Sequence, residues 1–149
     1  IKYGIIGNKS LFSSLEKINK NFLRNSEIIT NSIIVSCIRM KVKIVQEDFK
    51  ENDKRMILNF GHTMGHALEK HFFYNKSHGD CIGLGMLIES RISYLIEKLS
   101  EDEYLRIKNI LKRDNVMKRI SERGDIIGNA IDLLGNYKTG SCNFNSFRF

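Results

Sequence analysis

Apolar residues recur through most of the chain at three- and four-residue intervals, the spacing that puts them on one side of a helix. Leu11, Leu15, Ile18 and Phe22 form the first such row, with Ser10 in the place of an N-cap and Asn25 and Ser26 closing the segment. Ile29, Ile33 and Cys37 form a second row, and Ile34, Ile38, Val42 and Val45 run beside it. The β-branched content of that segment suits a strand, but its length and period predict a helix. Residues 46–54 are polar and read as a loop. A third helix is expected over 55–70, a loop over 72–80, and a fourth helix over 79–100. Ser100 followed by Glu103 is a capping box that predicts a fifth helix from Glu101 to Arg113. Residues 125–134 suit a short last helix, and 136–149 carry no clear period. The expected fold is therefore all-α, a multi-helix domain of five or six helices.

Two glycines, Gly61 and Gly65, stand inside the third predicted helix, where each costs on the order of 1 kcal/mol against Ala. A helix keeps such residues where something must approach its backbone closely. No repeat, linker or low-complexity tract divides the chain, and 149 residues leave room for one domain spanning 1–149. The hydrophobic content of 42% supplies a core, which argues against wholesale disorder. No run approaches the roughly 18 apolar residues of a membrane span, and no secretory signal opens the chain. Three cysteines, Cys37, Cys81 and Cys142, form no CxxC pair, so a reduced, cytoplasmic setting is expected. The absence of an initiator Met before Ile1 suggests a piece of a longer protein.

The charge balance of 24 basic and 17 acidic residues, a net +7, implies attraction to anions: nucleic acid, an acidic membrane or a phosphorylated small molecule. The basic residues are interspersed with acids and match no nucleic-acid-binding pattern, so no nucleic-acid partner is expected. Gly79, Gly83 and Gly85 have neither the GxGxxG nor the GxxxxGK[ST] spacing of a nucleotide loop. The five methionines read as core packing.

Candidate chemistry concentrates on three histidines. His62 and His66 stand four apart, hence about one turn apart on one helix face, and His78 opens the next element. Neutral imidazoles with a carboxylate and one open position form a recurrent catalytic metal arrangement. Taken as HxxxH alone, the pair more often belongs to hydrogen-bonded structural histidines. The HExxH signature is absent, because position 63 is Thr. A second set is cationic: Lys2, Lys41, Arg55 and Lys138. On charge alone each is a solvated surface group. Arg55, with Asn59 one helical turn further, suits one face of a cleft and can fork onto a carboxylate or phosphate. Asp48 and Glu51 are near enough in sequence to orient such bases.

Together these pieces resemble the C-terminal domain of the 3-dehydroquinate synthase family. The likeness rests on Ile1-Lys2-Tyr3-Gly4-Ile5-Ile6, on Lys41, Asp48 and Glu51, and on the block from Arg55 through Leu58-Asn59-Phe60-Gly61-His62-Thr63-Met64-Gly65-His66-Ala67-Leu68-Glu69 to His78-Gly79-Asp80. It is strong over residues 1–90, weak to 134, and thin at Tyr137-Lys138-Thr139-Gly140. The resemblance implies a two-domain, shikimate-pathway lyase with an N-terminal NAD-binding domain and a helical domain holding metal and substrate. That substrate is 3-deoxy-D-arabino-heptulosonate 7-phosphate. It further implies His62 and His78 as ligands to a divalent metal, Zn2+ or Co2+. Lys41 and Arg55 would hold the carboxylate, and Asn59, His66 and Lys138 the phosphate, with His66 relaying protons. Lys2 and Glu51 would lie near the reacting hydroxyls. The family's third ligand, a Glu three residues before the matching Lys, falls upstream of Ile1. Asp80 stands where the family has Glu, and Asn136-Tyr137-Lys138 replaces Asp-Lys-Lys. By this likeness the parent is a homodimer, and the chain alone is expected to lack turnover. The alternatives are another sugar-phosphate cyclase of the same fold, against which the Lys41 and Arg55 pair argues, and a non-catalytic basic helical binding module.

Overall fold

The structure is a computed structural model that describes residues 1–18, 27–50 and 52–113. Among the described residues every regular element is helical: α1 (Lys2–Gly7), α2 (Lys9–Lys17), α3 (Glu27–Glu47), a 3₁₀ segment (Lys54–Asn59), α4 (His62–His71), α5 (His78–Leu95) and α6 (Glu101–Arg113). The all-α expectation holds. No helix among these residues is long and apolar enough to cross a membrane. Glu51, Phe22, Met117, the predicted helix at 125–134, Lys138 and Cys142 lie outside the described residues. Those residues fall into two compact units, 1–59 and 60–113.

In the first unit, α1 was not expected, because six residues with two glycines offer too little period to read. It leaves Asn8 as the one residue between two helices, and Asn8 rather than Ser10 is the N-cap of α2. Its Oδ1 accepts the Leu11 N–H at 2.8 Å, satisfying one of the orphan donors of a helix start. Its Nδ2 donates to Ser36 Oγ on α3 at 3.3 Å. Ile5, Ile6, Leu11, Phe12 and Leu15 are buried. The α2 helix ends at Lys17, with Ile18 extended, before the last two members of the row expected to run through Ile18 to Phe22, of which Phe22 lies outside the described residues.

The expected third helix does not run unbroken. A 3₁₀ segment occupies Lys54–Asn59, and Gly61 then takes φ +80° as the N-cap of α4. Only glycine holds that left-handed conformation without steric cost. The other reason for glycine here is contact. A Cβ on Gly61 would sit 2.5 Å from Met86 Cγ and 2.8 Å from the Ile82 carbonyl oxygen, and one on Gly65 would sit 2.5 Å from Ile82 Cδ1. From the opposite side, a Cβ on Gly85 would lie 2.1 Å from Gly61 O and 2.7 Å from Gly65 N. Gly61, Gly65 and Gly85 thus form a seam along which the backbones of α4 and α5 touch. The close approach expected of the interior glycines is made by a helix.

Leu68, Cys81, Ile82, Leu84, Met86, Leu87 and Ile88 fill the core along this seam. On the far side, α5 packs against α6 through Ile107, Ile110 and Leu111, with Tyr94 stacked on Tyr104 at 5.4 Å. The α5 helix stops at Leu95, earlier than expected, because Glu97 turns left-handed at φ 58°. Lys98 N–H then closes onto Ser93 O at 2.8 Å, and Leu99 is buried beside the turn. The predicted capping box forms: Ser100 N–H donates to Glu103 Oε2 at 3.0 Å, and Glu103 N–H donates to Ser100 Oγ at 3.3 Å. Met86 is buried as expected, whereas Met40, Met56 and Met64 are only partly covered.

Gly61 has no side chain with which to cap α4, and Glu89 of α5 does this from across the seam. Its carboxylate accepts the Gly61 N–H at 2.8 Å and the Met64 N–H at 3.5 Å. Glu89 is buried, and desolvation pushes its carboxyl up to about 7, against the lowering effect of the two N–H groups. The folded chain therefore keeps a proton that the unfolded chain releases above about pH 4.5. That contribution to stability is complete below about pH 4.5 and lost as pH rises through about 7, on the order of 3 kcal/mol in all. Urea unfolding between pH 4.5 and 7.5 should show this decline, and Glu89→Gln should flatten it. A wild-type stability that rises through the same window would contradict the assignment.

Candidate functional site

The 60–113 unit gathers the three histidines. His62 and His66 project from consecutive turns of α4 with ring centroids 5.6 Å apart, and His78, the first residue of α5, places its ring 5.9 Å from both. The placement of His78 follows from local chemistry. Ser77 caps α5, accepting the Asp80 N–H at 3.1 Å and donating its hydroxyl to Asp80 Oδ2 at 2.7 Å. Asp80 is thus part of the cap that starts the helix at His78.

Hydrogen bonds define which ring nitrogen carries the proton. His62 Nδ1 lies 3.3 Å from the Phe60 carbonyl oxygen, and His78 Nδ1 lies 2.6 Å from Glu69 Oε1. Carbonyl and carboxylate oxygens only accept, so each Nδ1 donates and the lone pair stands on Nε2. This is the tautomer in which imidazole binds a metal through Nε2 while its other nitrogen is held. The donor set fits a borderline ion such as Zn2+, which takes nitrogen and carboxylate ligands in tetrahedral geometry. The ligand atoms of His66, Glu69 and His78 also lie within 4.8 Å of one another. The sequence motif assigns Glu69 no role; the signal for one is its position three residues after His66.

The 1–59 unit carries the cations. Lys2 is half-buried, and its Nζ donates to the Leu58 carbonyl at 2.8 Å, which sets it against the 3₁₀ segment bearing Arg55 and Asn59. Burial, and then the neighbouring charge of Lys41, hold the Lys2 ammonium below the usual lysine range. Asp48 organises the loop before Arg55, accepting N–H groups from Asn52 at 3.0 Å, Asp53 at 2.9 Å and Arg55 at 3.0 Å. Those N–H groups, led by that of Arg55, hold the Asp48 carboxyl down to about 2. The clamp is fully present above the ordinary carboxylate range and is lost only as pH falls through about 2. Arg55 Nη1 donates to the Phe49 carbonyl at 3.1 Å, a second tie across the same loop. The 3₁₀ winding changes one expectation. At three residues per turn, positions four apart stand about 120° apart, so Arg55 and Asn59 do not share the face an α-helix would have given them.

Residues 1–130 match the family model described as 3-dehydroquinate synthase C-terminal. The 3-dehydroquinate synthase of Clostridium acetobutylicum is 40% identical over 116 residues, which is 76% of this chain and 32% of that protein. The one from Caldanaerobacter subterraneus subsp. tengcongensis is 36% identical over 148 residues, covering 97% of this chain and 41% of its own length. The Clostridium botulinum (strain Alaska E43 / Type E3) protein of that name is 35% identical over 151 residues, or 98% and 40%. The chain thus spans about a third to two-fifths of the curated relatives it matches. With the all-helical fold, the clustered histidines and a family match over residues 1–130, the chain belongs to the 3-dehydroquinate synthase C-terminal family.

Proposed function

We propose that this chain is the metal- and substrate-binding domain of a 3-dehydroquinate synthase. Such an enzyme is a carbon–oxygen lyase that converts 3-deoxy-D-arabino-heptulosonate 7-phosphate to 3-dehydroquinate and phosphate in the shikimate pathway. The observation that carries the reading is the cluster of three imidazoles, two of them with Nδ1 tied to an oxygen acceptor. His62 and His78 would hold the divalent ion, with the family resemblance implying a Glu as the third ligand. When bound, Zn2+, or Co2+ in its place, polarises the substrate hydroxyls as a Lewis acid. NAD supplies the hydride chemistry that no side chain provides, held mainly by the N-terminal domain.

The remaining roles belong to this chain's own side chains. Lys41 and Arg55 bind the substrate carboxylate, and Lys2 moves a proton at a substrate hydroxyl, for which a lowered ammonium is suited. His66 and Asn59 bind the phosphate, with Lys138 and Glu51 completing the site. A reduced, cytoplasmic setting agrees with Cys37 and Cys81 standing as thiols. The functional protein is a homodimer joined to its NAD domain, and the 149-residue chain alone binds without turnover.

Calorimetry with the heptulosonate phosphate, on the chain loaded with Zn2+, tests the reading. Lys41→Ala combined with Arg55→Ala should weaken binding by about 100-fold, as expected for two lost charge-assisted contacts. Absence of binding by the unaltered chain, or unchanged binding by the double variant, would overturn it.

A further inference from the structure

We propose that Glu69 is the positioning residue of the metal centre: its carboxylate anchors His78 Nδ1 and thereby presents His78 Nε2 to the ion. The proposal rests on the reading of His78 as a ligand given above. Three observations carry it.

The bond is short, with Nδ1 2.6 Å from Oε1. That is at the short limit of N–H···O bonds, the end where contacts to an ionised carboxylate fall, and such contacts are roughly twice as strong as neutral ones. The two partners are unequally held. The Glu69 side chain is 15% exposed and the His78 side chain 60% exposed. A group packed on α4 fixes the direction of a ring that solvent would otherwise let turn, so orientation passes from Glu69 to His78. The helix itself sets the spacing: Glu69 follows His62 by seven residues and His66 by three, positions that return to one face of an α-helix. One face of α4 therefore carries two imidazoles and the carboxylate that orients the third.

A competing arrangement makes Glu69 a ligand itself, together with His66 and His78, whose donor atoms lie within 4.8 Å. Two ligands at about 2.0–2.1 Å from one tetrahedral ion stand a little over 3 Å apart. The 2.6 Å contact is shorter than that and has the length of a hydrogen bond. The hydrogen-bonded role is the one the geometry supports.

The test uses the full 149-residue chain and two readouts that do not depend on turnover. Long-range nitrogen–proton NMR of the histidine rings at about pH 8, without metal, reports the tautomer of His78. Competition of Zn2+ against a chromogenic chelator reports affinity. In the unaltered chain His78 should carry its proton on Nδ1. Glu69→Ala should abolish that preference and weaken Zn2+ binding about 10–100-fold. Glu69→Gln keeps an oxygen acceptor and should restore the tautomer and most of the affinity. Circular dichroism of the metal-free variants separates this from unfolding, and Glu69→Gln remains informative if Glu69→Ala does not fold.

The proposal is overturned if His78 carries its proton on Nε2 in the unaltered chain. It is equally overturned if Glu69→Ala leaves tautomer and affinity unchanged. Loss of Zn2+ binding in Glu69→Gln with the tautomer intact would instead mark Glu69 as a ligand and also overturn it. If the unaltered chain binds no Zn2+ while the tautomer shifts as expected, the metal reading fails and the Glu69–His78 contact survives as structure alone.

Discussion

Gly85→Ala should destabilise the 60–113 unit by about 3 kcal/mol or more, at the upper end of what overpacking produces. The added methyl would stand 2.1 Å from Gly61 O and 2.7 Å from Gly65 N, and both are backbone atoms. Neither can turn away as a side chain would; relief requires the two helices to separate and the core along the seam to open. Gly65→Ala should cost less, because its nearest neighbour is Ile82 Cδ1, the end of a flexible side chain. Gly61→Ala combines a close contact with φ +80°, and should lie between or level with Gly85→Ala. Gly79→Ala is the control. Nothing lies within 4 Å of its Cβ, so in the first turn of α5 it should gain up to about 1 kcal/mol. Urea unfolding of the four variants measures the series. Equal effects at Gly79 and Gly85 would show that backbone freedom, rather than contact, decides these positions.

The second large effect is on metal affinity. His62→Ala and His78→Ala should each weaken Zn2+ binding by more than the roughly 10–100-fold that loss of an outer-shell partner costs. His66→Ala should change it by less than about tenfold, its effect falling on phosphate binding instead. The contrast decides between two ligand sets that share only His78. If His66→Ala abolishes binding and His62→Ala does not, the ion sits among His66, Glu69 and His78, whose donor atoms also converge. Chelator competition on each variant gives the answer, and the metal-free unfolding curves guard against a folding artefact.

Several parts of this structure were legible before any coordinates. The helical rows of α2 and α3 and the Ser100–Glu103 box are local properties, written in neighbouring residues. The histidines were found because i, i+4 spacing fixes their relative direction on any helix. What escaped the reading depends on partners distant in the chain. Nothing near Gly61 says that it caps a new helix after a 3₁₀ segment rather than sitting inside one helix; Met86 and Ile82, more than twenty residues on, are what crowd it. Glu89 lies inside an apolar run, and a lone acid among Leu87, Ile88 and Ser90 is the sign of a buried carboxylate with a specific partner, but that partner, the start of α4, is distant in the chain. Glu97 ended α5 early by a left-handed turn that ordinary propensity gives no reason to expect at a glutamate.

The seam of Gly61, Gly65 and Gly85 has a consequence for how this site could be altered. His62 and His66 ride on one side of it and His78 on the other, so the span between the donors is set by touching backbones rather than by interchangeable side chains. An ordinary core can be adjusted by a methylene at a time. Here the smallest possible enlargement, one methyl, already exceeds the available space. On the proposed metal reading, a larger ion could not be accommodated by widening the centre in small steps; selectivity would have to change through the identity of the ligands themselves.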